Sequence, residues 1–67
     1  AKARRIIAEL FQAFLSQPTL LPPDYVVAGQ DDEGVRRQAR QVSDYIAGMT
    51  DRYAMREHRR LFMVEEL

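Results

Sequence analysis

The sequence predicts an all-α fold: a small three-helix bundle, with helices over about 2–16, 32–48 and 51–64 and a long proline-containing loop packed onto it. Three observations lead there. Apolar residues recur at steps of three and four in three separate stretches, which is the period of one helix face. Residues of the cap type, Asp31 or Asp32 and Thr50 or Asp51, stand directly before two of those stretches. The 3 prolines, Pro18, Pro22 and Pro23, all fall between the first and second stretches. With 67 residues the chain is one domain at most. A core of that size is modest and usually needs staples or partners.

In the first helix Ala3, Ile7, Leu10 and Phe14 follow at steps of four, three and four, and Ile6, Phe11 and Leu15 widen the stripe. Its heavy apolar end, Phe11, Phe14 and Leu15, reads as core. Pro18 stops the helix, because it lacks an N–H and disfavours helix at Gln17. Leu20 and Leu21 give the following loop apolar anchors, so it packs down. Pro22-Pro23-Asp24-Tyr25 fits one short helical turn. The connection from Gln17 to Gln30 is long for a helix–helix link. Loops of this kind often cover something, here the parent protein.

The second helix starts near Asp31. Asp32 and Glu33 complement the positive end of its dipole. Val35, Ala39, Val42, Ile46 and Met49 form a buried seam. Tyr45 sits beside that seam, with its ring able to bury and its hydroxyl free to meet a polar partner. Gly48 serves either close helix contact or a left-handed C-cap. A sharp turn follows at Gly48-Met49-Thr50-Asp51, preferred over one long kinked helix. In the third helix Ala54, Met55, His58, Leu61 and Phe62 form the apolar stripe, flanked by Tyr53. Arg56, Arg59 and Arg60 mark the wetter side, and Glu57 can pair with a neighbouring Arg. Val64 to Leu67 reads as a frayed end.

Composition narrows the function. Basic and acidic residues balance at 10 each, so no global field steers the chain to nucleic acid or membrane. Between Val35 and Arg60, however, seven arginines face three acids, a local balance of +4. Cys is absent, which rules out disulfides and thiolate metal sites and fits a cytoplasmic protein. No apolar run is long enough to span a bilayer, and no signal-peptide core follows the basic start. The start at Ala1 rather than Met is expected of a piece of a longer protein or of a processed one. Nucleophilic catalysis lacks its parts, since His58 is the only imidazole. His58 reads as a packed histidine with one hydrogen bond, and Asp44 and Asp51 as a surface charge and a cap. The arginine cluster is the one feature with a natural ligand, because guanidinium binds phosphate in bidentate fashion. Asp44 and Glu57 are equally natural partners for it.

The stretch Asp44-Tyr45-Ile46-Ala47-Gly48-Met49-Thr50-Asp51-Arg52-Tyr53-Ala54, with Glu57-His58-Arg59-Arg60-Leu61-Phe62 behind it, resembles the C-terminal end of the bacterial deoxynucleoside triphosphate triphosphohydrolases. These are the dGTPases and dGTPase-like proteins of the HD superfamily. The Leu20-Leu21-Pro22 loop and the long gap before the arginine-rich helix also resemble that family. The likeness covers essentially the whole chain, and its specific part is the DYIAGMTDRYA string. It implies an all-helical protein that binds divalent Mg or Mn through a His/His-Asp/Asp set. It also implies hydrolysis of dNTPs to deoxynucleoside and tripolyphosphate, often by an oligomer. One departure matters: the single His is followed by Arg59, so the metal set is expected in an upstream HD catalytic domain of the same chain.

Residues 1–67 are therefore expected to be a C-terminal helical domain, structural and inactive alone, with no catalytic residue, metal ligand or cofactor of its own. Ile7, Leu10, Phe14, Val42, Ile46, Met49, Leu61 and Phe62 are expected to bury against one another and against the metal-bearing domain. Tyr45, Asp51, Arg52 and Arg56 are the candidate substrate-binding residues, reaching toward nucleotide or a neighbouring subunit. The alternative is a stand-alone helical binding or oligomerisation module whose arginine face takes nucleic acid or an acidic partner.

Overall fold

A computed structural model describes residues 4–63. Its order is α1 (Arg4–Ser16), two single 3-10 turns (Pro18–Leu20 and Pro23–Tyr25), α2 (Asp32–Ala47) and α3 (Asp51–Phe62). The three-helix bundle and its packed loop are as expected. The expected frayed end and the start of the first helix at residues 2 and 3 lie outside the described residues.

Each boundary has a local cause. α1 stops at Ser16, one residue short of the Gln17-Pro18 pair, and Gln17 still donates its N–H to the carbonyl of Ala13. Both 3-10 turns begin on proline, whose fixed φ suits the first position. Asp31 caps α2, its Oδ1 accepting the N–H of Gly34 at 2.8 Å. Thr50 caps α3, its hydroxyl accepting the N–H of Tyr53 at 3.1 Å. Such caps are each worth about 1 kcal/mol. The break between α2 and α3 is real. Gly48 ends α2 at φ −81°, so it takes neither the left-handed geometry nor a close helix contact. Met49 then turns back to bond the carbonyl of Ile46.

The core is Leu10 and Phe14 of α1, Leu21 of the loop, Val42 and Ile46 of α2, Met49 at the corner and Ala54 of α3. Phe14, Leu10 and Val42 are fully buried, each stabilising by about 1.5–3 kcal/mol. Ile7 and Leu61 pack partly against this cluster. Three expected core positions are exposed instead: Val35 (57%), Met55 (59%) and Phe62 (45%). The physical reason is one of coverage: α1 lies against α2 and α3, and a single helix cannot roof the full width of both apolar stripes.

The loop is fastened by a residue the seam passed over. Gln38 is buried, its Oε1 accepting the N–H of Val27 at 2.8 Å and its Nε2 donating to the carbonyl of Tyr25 at 2.9 Å. Gly34 makes room for the same loop. A Cβ there would stand 2.5 Å from the carbonyl oxygen of Gly29, itself at φ +96°. The loop backbone thus rests on the first turn of α2, and no helix among the described residues is long and apolar enough to cross a membrane.

Candidate functional site

The α2–α3 corner gathers most of the chain's specific residue types. Tyr45 stands one helical turn from Val42 and next to Ile46, so its ring must lie along the core edge. It meets Phe14 edge-on, with centroids 5.6 Å apart, and Tyr25 at 4.9 Å. Its hydroxyl lies 3.3 Å from that of Tyr53. Burial, and then the bond to Tyr53, push the Tyr45 phenol well above its ordinary value. Tyr45 therefore stays a neutral hydrogen-bonding group. With no side chain on Gly48, a hollow of ≈ 240 Å³ remains between Tyr25, Tyr45, Met49, Thr50 and Tyr53.

Tyr53 is also one wall of a second, larger cleft of ≈ 620 Å³, lined further by Arg56, Glu57, Arg59, Arg60 and Met63. Glu57 is buried at its base. Arg60 holds it with both arms, Nη2 to Oε1 at 2.7 Å and Nε to Oε2 at 3.1 Å. That bond raises the Arg60 guanidinium further above its already high ordinary value. The expected pairing of Glu57 with a neighbouring Arg is thus made, and Arg60 is committed to it.

Six of the eight remaining arginines fall into two groups. Arg5, Arg37 and Arg40 each meet an acid one turn away: Glu9 at 3.4 Å, Glu33 at 3.5 Å and Asp44 at 3.9 Å. Arg52, Arg56 and Arg59 of α3 are exposed and make no ion pair among the described residues. Their spacing of four and three puts all three on one side of the helix.

Of the four residues singled out in the sequence, the structure brings none into one shared cavity. Tyr45 lines the tyrosine hollow, and Arg56 lines the arginine cleft. Asp51 is exposed in the first turn of α3, where its charge complements the helix dipole. Arg52 is exposed one turn before Arg56. Three contributors went unmarked: Tyr25, Tyr53 as a wall of both hollows, and Met63. The i,i+3 spacing of Glu57 and Arg60 was the available signal for the fork. Nothing local in the sequence signals the meeting of Tyr45 and Tyr53 across the corner.

His58 faces elsewhere. Its Nε2 lies 2.5 Å from Oε1 of Glu9 on α1, and its ring lies 4.7 Å from that of Phe62. It is a packed histidine with one hydrogen bond, as the sequence indicated. That bond, before the contact with Arg5, holds the Glu9 carboxyl below its ordinary value. Among the described residues no group of three His, Cys, Asp or Glu side chains is placed to hold a metal ion. What the corner offers chemically is guanidinium donors beside aromatic and apolar surface, an arrangement for binding an anion.

Comparison with known proteins places the chain. Residues 1–60 match the phosphohydrolase-associated domain. A deoxyguanosinetriphosphate triphosphohydrolase-like protein of Bordetella pertussis is 67% identical over 91% of this chain and 15% of the relative. Proteins of the same description from Azoarcus sp. and Caulobacter sp. are 58% and 49% identical over 98% and 97% of the chain, each 16% of the relative. The chain thus spans only 15–16% of the length of these curated relatives. That share carries no support for the C-terminal position expected from the resemblance. No solved structure matches. With the match running through all three helices, the chain belongs to the phosphohydrolase-associated domain family.

Proposed function

We propose that the chain is a structural helical part of a larger, cytoplasmic, oligomeric HD-type phosphohydrolase. That protein cleaves dNTPs, dGTP among them, to deoxynucleoside and tripolyphosphate. The observation that carries this reading is the 67% identity to a protein described as deoxyguanosinetriphosphate triphosphohydrolase-like. The residues here do not fit the divalent Mg or Mn such a reaction uses. There is 1 His in the chain, and it is engaged with Glu9. The metal and its ligands belong to another part of the same polypeptide, and no chemical step runs through these residues.

The role left to the chain is support. Val35, Met55 and Phe62 are exposed although apolar, and they are the surface with which a helical part packs against a metal-bearing domain. The test is to supply the full-length protein with dGTP and Mn²⁺ and to identify products. One tripolyphosphate and one deoxyguanosine per dGTP support the reading. Release of orthophosphate or pyrophosphate, or the same activity from residues 1–67 alone, refutes it.

A further inference from the structure

Local acidic partners divide the arginines: three of the four on α3 lack them, as does Arg4 at the start of α1, while Arg36 has Asp32 and Glu33 in reach yet makes no ion pair among the described residues. Arg5, Arg37, Arg40 and Arg60 each have an acid three or four residues away on their own helix, and each meets it. Arg52, Arg56 and Arg59 have none: positions three and four away hold Gly48, Met49, Tyr53, Met55, Phe62, Met63 or another Arg. α3 therefore carries a stripe of three arginines that make no ion pair among the described residues. Arg52 and Arg56 are like charges at i,i+4, which disfavours the helix that bears them by a few tenths of a kcal/mol. Beside the stripe lie Tyr53, 44% exposed, and Met63, 61% exposed. Of the two acids of α3, Glu57 is buried and held by Arg60, and Asp51 stands in the first turn next to Arg52. Arginine with exposed Tyr and Met is the composition of a protein-binding patch, in which aromatic and thioether groups anchor while charge selects the partner.

We infer that the Arg52–Arg56–Arg59 face of α3, with Tyr53 and Met63, is a docking surface for an acidic amphipathic helix of a protein partner. The register of the stripe defines that partner. Three guanidinium groups at steps of four and three along a helix rising about 1.5 Å per residue span about 10 Å. A helix with carboxylates at the same steps, laid alongside, offers each Arg one acid. Its apolar edge then meets Tyr53 and Met63 in the cleft of ≈ 620 Å³. A nucleic-acid strand fits less well. Tyr45 and Tyr25 are turned onto each other and onto Phe14, leaving Tyr53 as the one ring of that cluster beside the stripe on which a base can stack. This inference does not depend on the reaction of the parent protein.

The test uses the full-length protein and a fluorescent helical peptide with Glu at three positions spaced four and three apart and Leu on the adjoining edge. A second peptide carries Gln for Glu, and a third probe is single-stranded oligo-dT. The acidic peptide is expected to bind, and to weaken as salt rises toward physiological strength. Arg52→Gln, Arg56→Gln and Arg59→Gln are each expected to weaken it about two- to fivefold. Arg56→Glu, paired with a peptide carrying Arg at its central Glu, restores the lost affinity. Unchanged circular dichroism of the variants keeps loss of fold out of the comparison. Equal binding of the Gln peptide, or no binding of the acidic peptide at low salt, overturns the inference. So does tighter binding of oligo-dT that these substitutions abolish. A raised KM for dGTP with unchanged peptide affinity assigns the stripe to nucleotide and overturns it as well.

Discussion

Replacing Gln38 by Leu tests whether the long loop is held by one side chain. Gln38 is 7% exposed, and it joins α2 to two backbone groups of the loop, the N–H of Val27 and the carbonyl of Tyr25. Leu removes both hydrogen bonds and keeps the volume. Each bond contributes about 1 kcal/mol net, and a buried group left without a partner costs about 1–3 kcal/mol. Val27 and Tyr25 are only half-buried, so water partly restores their bonds and the cost falls at the lower end. Leu recovers part of the loss through its own apolar burial. The expected net loss is about 1–2 kcal/mol. A domain of this length holds roughly 3–10 kcal/mol in all. At about 4–8 °C per kcal/mol, the melting temperature falls by roughly 4–16 °C. Thermal unfolding followed by circular dichroism measures this, and amide exchange at Val27 locates it. A fall of less than about 2 °C, with the Val27 amide still protected, refutes the clamp.

Gly34→Ala opposes two effects: about 0.5–1 kcal/mol gained in helix propensity and about 1–3 kcal/mol lost to a contact of 2.5 Å with the Gly29 backbone, which cannot swing aside. A lower melting temperature is expected, and a higher one contradicts the close approach. Val42→Ala costs about 1.5–3 kcal/mol, while Val35→Ala, on the same predicted seam, changes stability by less than about 0.5 kcal/mol; denaturant melts of the two read the difference. The Glu9 carboxyl is held below its ordinary value chiefly by the hydrogen bond from His58, so its contribution is full above the ordinary carboxylate range and fades as pH falls through the lowered value. Glu9→Gln should therefore flatten the acid limb of the stability–pH curve and leave its slope above neutrality unchanged, and an unaltered acid limb removes the pair as a contributor.

The helices were legible because period and caps agreed. At the α2–α3 corner Thr50 follows Met49, the last residue of one seam, and precedes the stripe of the next, so the break was readable without tertiary information. Gly48 was less so, because a glycine at a helix end has several uses. Here its backbone is ordinary, and its effect is the hollow left between the tyrosines. Depth within the stripes was not legible. Val35 and Val42 share one seam, yet one is 57% exposed and the other fully buried. Which end of a stripe is roofed depends on where α1 crosses, and periodicity carries no information about crossing. The same gap hid Gln38. A polar residue between seam positions reads as surface until the loop from Tyr25 to Val27 is laid over it.

The corner shows where the limit lies in chemical terms. A pair on one helix is a local fact, so Glu57 and Arg60 could be matched by counting residues. A pair across a turn is not, and the bond between Tyr45 and Tyr53 required the angle between α2 and α3. That bond changes how the sequence candidates divide. It ties Tyr45 to an aromatic cluster with Phe14, Tyr25 and Tyr53 at the junction of α2 and α3. Arg52 and Arg56 stand outside that cluster, on a face whose neighbours three and four residues away include no acid. An arginine's local partner can be counted from sequence just as a cap can, and it separates charges that a helix compensates by itself from charges that it presents outward. By that count the string from Asp44 to Ala54 is two devices in series. The first, through Tyr45 and Thr50, fixes the corner. The second, beginning at Arg52, sets a row of exposed cations along the next helix.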